Sequence, residues 1–128
     1  MNGKARAKTL FTVAALFNWI VGAAIFLRYR ALMPLLGFPD RPTVWIHIVA
    51  GIVIVFGYAY WRVAGDPRRF RDYVVLGIVG KLTFVIAIYA HFLAGSATPA
   101  LALLVTADLI FAALFTWYLK ASDSRLRW

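Results

Sequence analysis

The sequence predicts an all-α fold, an integral membrane four-helix transmembrane bundle with both termini on the cytoplasmic side. Three observations predict it. The 128 residues are 63% hydrophobic, whereas an average soluble domain is about half apolar. The apolar residues form four long runs, and most of the 14 lysines and arginines lie in short clusters between them, which is typical of membrane proteins. The length suits a single transmembrane domain over residues 1–128.

The four apolar runs each come close to the roughly 20 residues that a helix needs to cross a bilayer. They predict spans at residues 9–28, 43–62, 72–93 and 99–120. A β-barrel is excluded because its strands would need segments of about 10 residues with alternating polarity, and no such alternation is present. The bilayer is therefore the expected partner, and the net charge of +9 does not indicate nucleic acid.

Proline follows a helix-capping residue at two of the predicted boundaries. Asp66-Pro67 and Thr98-Pro99 each place an N-cap residue before a proline at the first helical position. We expect the third helix to begin as an interfacial turn at Pro67. The connector 29–42 is apolar and broken by prolines, which predicts a segment in the outer membrane interface; the alternative is a lid over an outward-facing cavity.

The orientation follows from the excess of basic residues on the cytoplasmic side of membrane proteins. Three arginines flank the runs on one side: Arg28, Arg30 and Arg41. Ten basic residues flank them on the other side: Lys4, Arg6, Lys8, Arg62, Arg68, Arg69, Arg71, Lys120, Arg125 and Arg127. This bias predicts that both termini lie inside.

The N-terminal region also resembles a cleavable signal peptide, since basic residues precede an apolar stretch and the small residues at 21–23. However, the apolar run continues to Leu27, beyond the usual length of a signal core, and Asn18 and Trp19 interrupt it. The sequence therefore favours a first helix that is retained.

Three polar residues lie near the middle of three different runs: Asn18, Lys81 and Asp108. An unpaired Lys or Asp at the bilayer centre costs about 2.5–3.5 kcal/mol on insertion scales. Both should therefore face the bundle interior and pair, with Asn18 as a third hydrogen-bonding group. The sequence predicts a midplane polar site that binds or translocates a small ligand. The alternative is an ion pair that only fixes the packing of the helices.

His47 and Tyr58 recur at helical spacing on the second run and are expected to line the same cavity. His47 and His91 fall at similar predicted depths, so a haem b held by both histidines is an alternative. There is no cysteine, and the two histidines with one distant aspartate lack the spacing of a metal site. No serine nucleophile, carboxylate pair or phosphate loop is present, so we expect neither an enzyme nor a bound cofactor.

Four features of the sequence stand out together: Gly57-Tyr58, Asp66-Pro67-Arg68-Arg69, Gly77-x-x-Gly80-Lys81 and Asp108 in the last span. With them the chain resembles small four-span bacterial membrane proteins, DoxX-like in general appearance. The resemblance implies a multi-pass protein of the bacterial inner membrane. Small multidrug-resistance transporters share the size and span count, but they carry a glutamate in the first helix, where this chain has Asn18.

A further hypothesis is an accessory or assembly subunit of a larger membrane complex. Small residues recur on three of the predicted helices, at Gly22/Ala23, at Ala87/Ala90/Ala94 and at Ala112/Ala113. Such faces allow close packing against other membrane helices. A homodimer is equally compatible, because four short helices enclose little interior volume.

Overall fold

The computed structural model describes residues 3–37 and 44–125, and over these ranges the chain is helical, with no strand. Its four helices are α1 (Gly3–Leu36), α2 (Val44–Gly65), α3 (Arg71–Leu93) and α4 (Pro99–Arg125). All four are long and apolar enough to cross a membrane. The predicted all-α class and the four apolar helices are thus confirmed for the described residues. The helices form two pairs, α1 with α2 and α3 with α4.

The first helix is longer than the sequence predicted. The backbone of Arg28 leaves the helical region (φ −125°, ψ 28°), and the chain then continues as a second helical segment to Leu36, with Pro34 inside it. Gly37 ends this segment with a positive φ of 86°, as helix-terminating glycines do. Residues 29–36 are therefore helical after a kink, while residues 38–42 of the predicted connector lie outside the described residues.

The two predicted N-caps differ in outcome. The amide of Leu101 donates to Oγ1 of Thr98 at 3.3 Å, so Thr98 caps α4, with Pro99 as its first residue. Oδ1 of Asp66 accepts from the amide of Arg69 at 3.2 Å, but this bond closes a separate turn. Helix α3 begins only at Arg71. The chain therefore forms a turn at Pro67, as expected, but this turn precedes α3 and is not its first helical turn.

The α1/α2 pair is antiparallel, because residues later in α1 contact residues earlier in α2. Trp19 hydrogen-bonds to Ile54, whereas Phe26 packs on His47. Two glycines allow a close approach. A Cβ at Gly22 would lie 2.6 Å from Cγ1 of Ile54, and a Cβ at Gly57 would lie 2.5 Å from Cδ1 of Trp19. Small residues at such positions are characteristic of closely packed membrane helices.

The α3/α4 pair has a regular apolar seam. Its buried members on α4 are Leu101, Val105, Ala112 and Phe115. Together with Asp108 they are spaced alternately four and three residues apart, as in a coiled coil. The buried residues of α3 are Val74, Gly77, Lys81 and Val85. Both ionisable residues of the predicted site therefore lie in seam positions between the two helices.

Candidate functional site

A hydrogen-bonded pair of ionisable side chains joins α3 to α4. Nζ of Lys81 lies 2.5 Å from Oδ1 of Asp108. Lys81 is near the middle of α3 and Asp108 is in the first half of α4. The pair arises because an antiparallel hairpin with a short turn at residues 94–98 brings these two seam positions to the same level.

The two members of the pair differ in accessibility. The side chain of Lys81 is 5% exposed, whereas that of Asp108 is 22% exposed. Among the described residues, Lys81 is the only hydrogen-bond partner of the Asp108 carboxylate. A carboxylate has about four lone-pair sites. Asp108 therefore keeps acceptor capacity on its more open side, while the ammonium group is enclosed.

An aromatic ring also lies close to the ammonium group of Lys81. Nζ of Lys81 lies 5.2 Å from the centroid of the Phe111 ring, within the range of a cation–π contact. Phe111 follows Asp108 by three residues, so both face the same side of α4. The ring of Phe115 lies one turn further along, with its centroid 6.1 Å from that of Phe111. The lysine thus has a carboxylate and the face of an aromatic ring as neighbours.

A second polar contact crosses the same helix pair, on the side of the 94–98 turn. The hydroxyl oxygens of Tyr89 and Thr106 are 2.7 Å apart. Thr106 also donates to the carbonyl of Ala102 at 2.8 Å, which leaves the Tyr89 hydroxyl as donor to Thr106. This bond fixes the register of α3 against α4 and so helps to hold Lys81 opposite Asp108.

Asn18 belongs to the α1/α2 pair and has a backbone partner there. Its Nδ2 donates to the carbonyl of Val53 at 3.1 Å, and the side chain is 5% exposed. The next residue repeats the pattern, because Nε1 of Trp19 donates to the carbonyl of Ile54 at 3.2 Å. Asn18 therefore joins α1 to α2, and its membership of the Lys81/Asp108 site stays a prediction.

The predicted lining residues of α2 have different environments. His47 packs between two rings of α1: its centroid is 4.9 Å from that of Phe26 and 5.4 Å from that of Tyr29. These rings lie on either side of the kink at Arg28. Tyr58 is 50% exposed and packs beside Trp61, with centroids 6.0 Å apart. The cavity-lining roles of His47 and Tyr58 stay predictions.

His91 takes part in the turn that ends α3. Its Nδ1 is 2.9 Å from Oγ of Ser96, and its carbonyl accepts from the amide of Ser96 at 2.8 Å. Gly95 adopts the positive φ of 82° that the turn requires. His47 and His91 each have contacts within their own helix pair, and joint haem ligation by the two stays a prediction.

Sequence reasoning missed two neighbours of the site, Phe111 and the Tyr89–Thr106 bond. The spacing of Asp108 and Phe111, three residues apart on one helix, was a usable signal because such residues share a face. Nothing in the local sequence of Tyr89 identifies Thr106 as its partner.

Compared with known proteins, this chain matches no protein-family model, no curated protein and no solved structure.

Proposed function

We propose that this chain is a multi-pass protein of the bacterial inner membrane, with both termini inside, that binds or translocates a small ligand at Lys81 and Asp108. The length and hydropathy of all four helices support membrane insertion. The distribution of basic residues supports the orientation. The resemblance to small four-span bacterial proteins supports the choice of membrane.

The observation that carries the proposed function is the placement of the Lys81–Asp108 pair. The contact lies well inside two helices of membrane-spanning length, far from either end of α3. Burying an ion pair is a costly way to obtain packing, because apolar residues of similar volume often stabilise a protein as well or better. Ionisable residues inside membrane spans usually mark binding or transport sites.

The two residues have different roles in the proposed site. Asp108 is the group that the ligand meets, since its carboxylate is the more accessible one. Lys81 holds the carboxylate in place and neutralises it when no ligand is bound.

The test is ligand binding or transport by Asp108→Asn, which keeps the shape of the side chain and removes its charge. We expect loss of binding or transport while the protein is still inserted and purifies as a single species. Thr83→Val is the matched control: Thr83 lies on α3 close to Lys81, is exposed, and bonds only to its own helix at the Val79 carbonyl. Wild-type activity in Asp108→Asn would refute the proposal.

A second candidate function is that of an accessory subunit, and the exposure of α3 favours it. Ala87 and Ala90 of this helix and its C-cap residue Ala94 are exposed. Gly22 and Ala112, by contrast, are buried in their own helix pairs, so those two small-residue faces are already used. Purification in a mild detergent distinguishes the candidates: a stoichiometric membrane partner that is lost in Ala90→Leu supports the subunit.

A further inference from the structure

The surroundings of the Lys81 ammonium group have the chemistry of a site for a cation. The ammonium contacts the carboxylate of Asp108 and lies over the ring of Phe111. A carboxylate attracts positive charge directly, and the face of an aromatic ring attracts it through the ring quadrupole. Both groups are provided by α4, whereas the cation that occupies them belongs to α3.

The same surroundings oppose an anion. An anionic ligand would have to reach Nζ of Lys81, whose side chain is 5% exposed, and would approach both a carboxylate and an aromatic face. A cation approaching from outside meets the carboxylate first, since Asp108 is 22% exposed and hydrogen-bonds to no described residue other than Lys81. Accessibility and charge therefore favour the same class of ligand.

We infer that the ligand of this site is a lipophilic organic cation, such as a quaternary ammonium or phosphonium ion, and that Lys81 is a tethered competitor for the same carboxylate. This inference rests on the proposed function and assigns its ligand class. The cation binds to Asp108 in place of the Lys81 ammonium, which releases its proton so that no unpaired charge stays buried, and the ring of Phe111 is its second contact. The apolar seam residues beside Asp108, Val105 and Ala112, favour cations with apolar substituents.

The charged groups that face Lys81 support this role. On α4, Asp108 is the ionisable residue opposite it. The next titratable side chain on the seam is Tyr89, which is bonded to Thr106. Removing the lysine charge thus leaves Asp108 without its ammonium partner and open to an external cation.

Tetraphenylphosphonium and tetraphenylborate are suitable probes, because they have the same shape and opposite charges. Binding of each is measured by equilibrium dialysis with the purified protein in a mild detergent. The double variant Lys81→Met/Asp108→Leu gives the background of non-specific partitioning. We expect the wild type to bind the phosphonium above this background and the borate not at all.

The variants then separate the two side chains. Lys81→Met should bind the phosphonium on the order of tenfold more tightly, because the cation no longer competes with a tethered ammonium for a desolvated carboxylate. Asp108→Asn should lose binding, and Phe111→Leu should weaken it roughly threefold to tenfold. Thr83→Val should bind like the wild type. Circular dichroism is used to check that each variant is folded. If Lys81→Met does not fold, Lys81→Gln is measured instead.

Other results have distinct meanings. If the borate binds and Lys81→Met abolishes its binding, the site takes an anion; the ligand class is then wrong, while the proposed function stands. If the phosphonium binds equally well to the wild type, to Lys81→Met and to Asp108→Asn, the cation site is refuted. If neither ion binds above background to any variant, both the cation inference and small-ligand binding at this pair are contradicted.

Discussion

Replacing Gly57 by alanine tests how closely α1 and α2 approach each other. A Cβ at this position would lie 2.5 Å from Cδ1 and 2.6 Å from Nε1 of Trp19, and 3.2 Å from the carbonyl oxygen of Ala15. Contacts below 3 Å are not tolerated, so either the indole ring or the helix must move by about 1 Å to restore van der Waals contact. The indole is not free to move, because Nε1 of Trp19 donates to the carbonyl of Ile54 at 3.2 Å.

The expected loss of stability can be built from three contributions. Overpacking of a well-packed contact costs about 1–3 kcal/mol. Loss of the Trp19–Ile54 hydrogen bond adds about 0.5–1.5 kcal/mol. The higher helix propensity of alanine offsets up to about 1 kcal/mol of this. We therefore expect Gly57→Ala to lower the free energy of unfolding by about 0.5–4.5 kcal/mol.

Gly51→Ala is the matched control on the same helix. A Cβ at Gly51 has no atom within 4 Å, so this variant gains helix propensity without a clash and should be stabilised by up to about 1 kcal/mol. The assay is unfolding in mild detergent on titration with a denaturing detergent, followed by circular dichroism. If Gly57→Ala is as stable as Gly51→Ala, the close approach of Trp19 to Gly57 is wrong.

Two further predictions concern the α3/α4 pair and use the same unfolding assay. Lys81→Met and Asp108→Leu should each lower the free energy of unfolding by about 3 kcal/mol, because each leaves an uncompensated charge. The double variant should be within about 1 kcal/mol of the wild type. Additive effects of the two single changes would contradict the pairing. Thr98→Ala should cost about 1 kcal/mol through loss of the N-cap of α4. Thr83→Ala is its control and should have a smaller effect, since Thr83 caps no helix; equal effects would rule out the capping role.

Much of the fold could be predicted from the sequence, because hydropathy and boundary residues act locally. Helices α2, α3 and α4 begin within one residue of the predicted spans, although α3 begins at Arg71 and not at the expected Pro67. The end of α1 was not predicted, since Arg28 and Pro34 both interrupt the apolar run. In the structure a single non-helical residue, Arg28, accommodates the change of direction, and the helix then tolerates Pro34. Polarity marks where an apolar segment ends, but it does not mark where a helix ends.

Part of the candidate site could also be predicted. Position along a helix was sufficient to match Lys81 with Asp108, and the structure brings them into contact. Contacts that depend on the rotation of a helix about its axis could not be predicted from position along the helix. The cation–π contact of Phe111 and the bond between Tyr89 and Thr106 both depend on which face of α4 is turned towards α3.

The contrast between Lys81 and Asn18 explains why one partner was predictable and the other was not. A charged side chain in an apolar helix needs an opposite charge, and away from the end residues of the four predicted spans the sequence has only one lysine and one aspartate. The side-chain amide of Asn18 is neutral, and any backbone carbonyl at the same level along the adjacent helix can accept its hydrogen bond. It bonds to Val53 on the adjacent helix, a partner that carries no sequence signal. Because opposite charges are scarce, the contact between Lys81 and Asp108 could be predicted; because carbonyl acceptors are abundant, the partner of Asn18 could not.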